Sequence, residues 1–280
     1  MSKLKIRCSQ LGRIMVGASF EPIPLTEAQN RTLEELSLKA KRTDNQENTY
    51  RSLLEKKFLV PEPTLSTGAK TYIEELWHED KYQFRKNFTN KFVQKGNSIE
   101  GHSLAELSKF LGVKCFKNIK HFENDFIMGT PDSLLKQFKM TIDAKNVYYP
   151  DGLNLFSEDK ESNLYTWQIH GYNYLLEHDK GIVIRMLMNP PVDIIEKEVW
   201  TAWKGINHNP DEYPTDEFRT KIFKNFDFES KLPFEDRMNF TKIDSTQDHF
   251  ILIEKMVELA RVYYAELDEK FAERKTLILN

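Results

Sequence analysis

Cysteine is scarce in this chain: Cys8 and Cys115 are the only two in 280 residues. Structural zinc and iron–sulfur centres usually take four ligands, so two thiols cannot make such a site by themselves, and both are expected to be buried or idle. Long apolar runs are missing as well. With charged residues at 30% and a mean hydropathy of -0.59, no stretch approaches the roughly 20 apolar residues of a membrane span. The amino terminus has no signal-peptide apolar segment, so a cytoplasmic protein without a membrane partner is expected. An excess of positive charge is also absent, with 40 Lys plus Arg against 43 Asp plus Glu; any nucleic-acid site must therefore be local. No G-x-x-x-x-G-K-[ST] phosphate loop occurs, so ATP-driven translocation would have to come from another protein, and no His-x-x-x-His or paired-Cys spacing for zinc is seen. No Gly/Ser- or Pro-rich linker divides the chain. What is present, 40% hydrophobic and 12% aromatic residues, suffices for a large core, since chains of ~300 residues bury roughly 75% of their unfolded surface. One elaborated domain over residues 1–280 is expected.

Periodicity and breakers organise the rest. A brief apolar element at Ile14–Val16 stops at Pro22-Ile23-Pro24. Thr26 is placed to cap a helix running to about Lys41, and a second charged helix covers about Gln46 to Lys57 before Pro61-Glu62-Pro63. With the amphipathic stretch Ser66–Trp77, these form a charged helical elaboration over residues 26–80. Lys81 to His121 is the most basic segment, with nine Lys or Arg against Glu100 and Glu106. Ile99, Leu104, Leu107, Phe110 and Leu111 predict a helix over Ser98–Leu111, with Glu100 in its first turn, where the helix dipole alone favours a carboxylate. The period then changes to that of strands at Phe116–His121, Asp125–Met128 and Phe138–Lys145, followed by a helix over Glu158–His178 and an apolar strand at Gly181–Met188. Helices at Ile194–Lys204 and Thr246–Arg274 follow. This order predicts an α/β fold with a small mixed sheet flanked by helices.

The chemistry concentrates in Gly129-Thr-Pro-Asp132, ten intervening residues, and Asp143-Ala-Lys145. Residues two apart on a strand share a face, so Asp143 and Lys145 project together while Ala144 turns away. Asp132, at the end of the preceding hairpin strand, is placed to sit beside Asp143. Two close carboxylates repel unless a cation joins them, which asks for a divalent metal. A lysine beside them can orient a water or neutralise charge growing on phosphorus. Together these groups suit phosphodiester hydrolysis, although an Asp, Asp, Lys set is also what a salt-bridged hairpin contains. Downstream, Gln168 and Tyr172 are four apart and share a helix face.

Pro131-Asp132 with Asp143-Ala144-Lys145 resembles the signature of the PD-(D/E)XK nuclease superfamily. The Gln168-x-x-x-Tyr172 helix and Lys95-Gly96-Asn-Ser-Ile-Glu100 are similar to the lambda-exonuclease-like, YqaJ-like branch of viral recombinases, over about residues 90 to 190. The resemblance implies a restriction-endonuclease-like core at 90–190, with added amino-terminal helices and a carboxy-terminal helix at 245–275. It implies that Asp132 and Asp143 bind magnesium or manganese, that the Ala144 carbonyl and Glu100 complete the shell, and that Lys145 positions the attacking water. Ser9, Thr130 and Gln168 map onto the family's pocket for a terminal 5' phosphate; Arg7 stands too close to Ser9 to match its upstream arginine. The implied activity is an exonuclease resecting duplex DNA in the cytoplasm of a bacterium or phage-infected host, for single-strand annealing recombination or repair. An annealing-protein partner and a ring-shaped homotrimer are implied with it.

Arg85, Lys86, Lys91 and Lys95 are placed as phosphate contacts or as a solvated basic face. Tyr148-Tyr149-Pro150 either lines the DNA path or packs in the core, and His170 falls off the Gln168–Tyr172 face, as a packing residue would. Two alternatives stay open: a structure-specific or restriction-like endonuclease, which would cut covalently closed circles, and a catalytically inactive DNA-binding or interaction protein, which would bind no divalent metal.

Overall fold

The computed structural model describes residues 3–86, 90–156, 162–207, 209 and 211–279. The chain begins with β1 (Ile6–Arg7) and α1 (Leu11–Ile14), then α2 (Glu27–Ser37), α3 (Asp44–Phe58), α4 (Thr67–Tyr82) and α5 (Lys91–Leu111). β2 (Phe122–Glu123), β3 (Ile127–Gly129), β4 (Ser133–Leu135) and β5 (Met140–Val147) lead to α6 (Asn163–Leu176) and β6 (Lys180–Leu187). α7 (Val192–Ile206), α8 (Asp216–Asn225), β7 (Met238–Asp244) and α9 (Gln247–Leu279) follow. Among the described residues no helix is long and apolar enough to cross a membrane.

Where one elaborated domain was expected, the chain divides into two compact units. The first comprises Met1–Lys5, Arg13–Tyr82 and Thr246–Asn280, and the second Ile6–Gly12 and Gln83–Ser245. The charged helices of 26–80 and the long final helix belong to the first, and the 90–190 core to the second. In the first unit, Thr26 and Thr43 each accept the backbone N–H three residues on while Gln29 and Gln46 reach back, so capping boxes set where α2 and α3 begin. None of the α3 side chains is buried, as its charge density requires. α4 and α9 are joined by hydrogen bonds from Trp77 Nε1 to Asp268 at 3.1 Å and from the Tyr263 hydroxyl to Glu74 at 2.6 Å.

The second unit holds two sheets, ordered β1-β3-β2 and β4-β5-β6-β7. In the larger sheet β5 and β6 run parallel, linked by α6 as a crossover, and the outer pairings are antiparallel. Strand alternation sorts the two faces. Ile142, Ile182, Ile184 and Met186 pack with Ile99, Leu104 and Leu107 of α5, and Val183 and Ile243 pack with Ile169 of α6. α6 lies close on the sheet because Gly181 has no side chain: a Cβ there would stand 2.5 Å from Ile169 Cγ2. A Cβ on Gly129 would likewise meet the Tyr172 ring at 2.7 Å, so a glycine at this point lets the segment carrying Thr130 and Asp132 approach α6.

Several boundaries differ from expectation. Phe116–His121 is not a strand; Phe116 and Ile119 are exposed, and the segment touches the sheet only through a Lys117–Ser133 bridge and the Asn118 N–H donated to Asp132 O. Without a buried alternating face, extended chain gains little from pairing. α5 starts at Lys91, not Ser98, because Asn90 caps it by accepting the Val93 N–H. Glu100 therefore lies inside the helix rather than in its first turn. The expected helix start at Glu158 lies outside the described residues. β1, α8 and β7 were not anticipated, and β7 closes one side of the main sheet.

Candidate active site

A cavity of about 810 Å³ opens between α5, β5 and α6, lined by Glu100, Asp132, Asp143, Lys145, Gln168 and Arg185 among others. β5 supplies its centre. Asp143 is fully buried, and Lys145, on the same strand face, places Nζ 2.7 Å from Asp143 Oδ2. The other Asp143 oxygen accepts from Gln168 Nε2 at 2.9 Å. Gln168 Nε2 also donates to the Tyr172 hydroxyl at 3.0 Å, and that hydroxyl donates to Thr130 O at 3.2 Å. Gln168 Oε1 faces Lys145 Nζ at 3.5 Å. The helical spacing of Gln168 and Tyr172 thus builds a relay from the loop before β4 to the buried carboxylate, with the amide nitrogen turned to the anion and its oxygen to the cation.

Asp132 enters from the segment just before β4, and its Oδ2 accepts the Ala144 N–H at 2.6 Å. Burial first, and then the charge of Asp143, pushes its carboxyl up to about 7. Burial alone would lower the Lys145 ammonium, but the charge and hydrogen bond of Asp143, with Asp132 behind it, more than offset this and hold it above its ordinary value. Burial raises the Tyr172 phenol strongly, so it serves as a neutral hydroxyl.

The donor set fits a divalent cation in part. Among the described residues no three His, Cys, Asp or Glu side chains form a ready-made metal cluster. Asp132 and Asp143 are nonetheless two hard oxygen donors whose mutual repulsion is relieved by a proton on Asp132 up to about pH 7, and a cation relieves the same repulsion. Glu100 lines the cavity and accepts from Lys117 Nζ at 2.9 Å, so it becomes a donor only by leaving that partner.

The remaining candidates scatter. Thr130 is exposed beside His121, its Oγ1 3.2 Å from Nδ1. Ser9 is exposed on a short 3-10 helix, Cys8–Gln10, that packs against α6 and β3 and does not line the cavity. Arg85 and Lys86 are exposed outside any regular element and do not line it either. Lys91 is taken by Glu198 at 2.9 Å and the Tyr149 hydroxyl at 3.2 Å. Lys95 corrects the expectation of a surface phosphate contact: it is 0% exposed, donates to Val147 O at 2.7 Å, and burial lowers its ammonium to about 7. Of the aromatic pair, Tyr148 packs in the core and Tyr149 lines the cavity rim. His170 is buried with Nδ1 2.8 Å from Ser245 Oγ, and Cys8 and Cys115 are buried free thiols.

Sequence reasoning missed Arg185 and Tyr165. Arg185 is in parallel register with Lys145, and the Tyr165 ring lies beneath both cations, 4.5 Å from Lys145 Nζ and 5.7 Å from Arg185 Cζ. The signal was there: Arg185 is a lone charge in the apolar strand Gly181–Met188.

No protein-family model matches the chain, and no curated protein matches it. Among solved structures it is similar to a phage-related exonuclease from Haemophilus somnus 129PT, at TM-score 0.65 and 20% identity over 96% of this chain and 97% of that one. It is also similar to an alkaline exonuclease from Laribacter hongkongensis, at TM-score 0.51 and 14% identity over 78% and 89% of the two chains. A second structure of that enzyme, in complex with dAMP, matches at TM-score 0.50 and 15% identity over 77% and 88%. The chain thus has a mixed α/β nuclease-like core with flanking helices. Within that class its fold is the one seen in lambda-exonuclease-like members of the PD-(D/E)XK nucleases.

Proposed function

We propose that this protein is a divalent-metal-dependent deoxyribonuclease that hydrolyses phosphodiester bonds from the ends of duplex DNA. The observation that carries the proposal is the convergence of Asp132, Asp143 and Lys145 in one cavity, with Gln168 bonded to Asp143 and facing Lys145. The solved structures that share the fold are exonucleases, which favours attack from an end.

The chain's own groups divide the work. Lys145, kept charged by the two aspartates, holds a water near phosphorus and stabilises negative charge as it develops there. Gln168 keeps Asp143 oriented, and its bond to Tyr172 fixes the amide in turn. Arg185, one strand away on the same face, takes a phosphate oxygen, as a guanidinium fork is shaped to do. Magnesium or manganese, bound by Asp132, Asp143 and the Ala144 carbonyl with Glu100, supplies Lewis-acid help to the leaving oxygen and a more acidic water. A phosphorus–oxygen bond to the incoming water forms as the bond to the leaving sugar oxygen breaks. Resection for single-strand annealing, with an annealing protein as partner and a homotrimer as the working form in the cytoplasm, is the cellular role that suits such an enzyme.

The test is degradation of end-labelled linear duplex in magnesium by the wild type, Asp143→Ala and Lys145→Ala, alongside a covalently closed circle. Wild-type loss of the linear substrate alone, abolished by either substitution, is expected. Equal activity in all three proteins overturns the assignment, and cleavage of the circle replaces the exonuclease with an endonuclease.

A further inference from the structure

A second cavity, of about 380 Å³, lies in the same unit and shares no lining residue with the first. Its floor is the sheet face that α5 covers, beyond the point where that helix stops. α5 ends at Gly112, in the left-handed conformation at φ 66°, and no described helix continues the layer over Met140, Ile182 and Phe240. Phe110, Phe138 and Phe240 are left 48%, 53% and 49% exposed around the opening. Such grouped apolar exposure marks an interaction surface rather than ordinary scatter.

Charge describes the occupant. Lys136 and Lys139 flank Phe138 in sequence, and Lys180 and Lys242 stand on the same sheet face as Ile182 and Phe240. All four lysines are exposed, and none makes an ion pair among the described residues. The acids near them are few. Asp244 is in register with Lys180, Glu106 is held by Lys109 at 2.6 Å, and Glu235 and Asp236 precede Met238 at the opposite end of β7. A layered α/β fold covers its sheet with helices, so the missing element is a helix lying beside α5.

We infer that this groove docks an amphipathic helix of another protein, an apolar stripe entering between α5 and β7 and acidic residues along its edge meeting Lys136, Lys139, Lys180 and Lys242. Apolar anchors supply the affinity of such a helix-in-groove contact, and the lysine rim chooses the sign of partner and speeds encounter.

The probe is a labelled synthetic helix with a leucine stripe and glutamate flanks, compared with the same stripe flanked by lysines, with binding read by fluorescence anisotropy. The acidic peptide is expected to bind the intact protein, the basic one not to. The doubly substituted Lys139→Glu, Lys242→Glu protein should lose about tenfold in affinity with an unchanged melting temperature, since both side chains are exposed. Asp143→Asn should bind as the wild type does, which separates this surface from the nuclease site. Equal binding of both peptides, binding of neither, or self-association of the chain that Lys139→Glu, Lys242→Glu abolishes would each overturn the inference.

Discussion

Lys95 and Lys145 are both withdrawn from water in the same unit, yet their surroundings drive them in opposite directions. Lys95 points inward from α5, donates to a backbone carbonyl, lies near the Tyr148 and Phe228 rings and has no carboxylate in contact, so burial lowers its ammonium to about 7. Lys145 stands on β5 against Asp143, with Asp132 behind it, and is held above its ordinary value. Burial alone therefore does not make a lysine functional. A carboxylate pair that keeps the amine charged where phosphate arrives is what separates a site from an interior.

The largest expected effect comes from removing the charged member. Lys145→Met should lower the cleavage rate by about 10³-fold, as loss of a preorganised stabilising group does. It should also destabilise the protein by about 3 kcal/mol in denaturant titration, because Asp143 is left buried without its cation. Unchanged cleavage would reduce Lys145 to a structural partner.

Lys95 offers the reverse experiment. Its value falls from 10.5 unfolded to about 7 folded, so between those pH values the unfolded chain binds more protons and stability should climb with pH, by up to about 1.4 kcal/mol per unit. Below about pH 7 both states are protonated and the full cost of burying the charge remains. Lys95→Met should be more stable than the wild type at pH 7, with an advantage that shrinks toward pH 10. A difference independent of pH would show that the buried amine does not titrate in this window.

A smaller effect is expected at Arg185. Arg185→Ala should raise KM for DNA about tenfold with a lesser change in kcat, and Arg185→Lys should recover part of it, since a lysine keeps the charge but not the fork. The smallest belongs to Lys117→Ala. Freeing Glu100 should improve half-saturation by magnesium two- to threefold at most, as an exposed ion pair is worth about 0.2–1 kcal/mol.

The same two lysines show how far the sequence carries. Lys145 was legible because two short-range periods converge on it: alternation along β5 puts it beside Asp143, and the four-residue step from Gln168 to Tyr172 puts both on the α6 face that meets them. Lys95 was misplaced because its helix was started at Ser98. Once Asn90 caps the helix, Lys95 and Ile99 fall four apart on the buried stripe, and the basic stretch loses a surface charge. Arg185 escaped notice because a strand apolar on both faces hides which side a single charge takes until its neighbour's register is known. β7 was missed for a related reason: Met238-Asn-Phe-Thr-Lys-Ile-Asp244 alternates weakly, and its pairing with β6 is a long-range fact. Ser9, Arg85 and Lys86 were placed by resemblance or by charge alone, and the fold sets none of them in the cavity.

The most direct measurement is calorimetric titration of manganese into the wild type, Asp132→Asn and Asp143→Asn at pH 6.5 in buffers of different ionisation enthalpy. One class of site should appear in the wild type, with proton release traceable to Asp132, and both substitutions should abolish it. Binding that survives both substitutions, or wild-type protein that takes up no ion, would contradict a shared cation between these two aspartates.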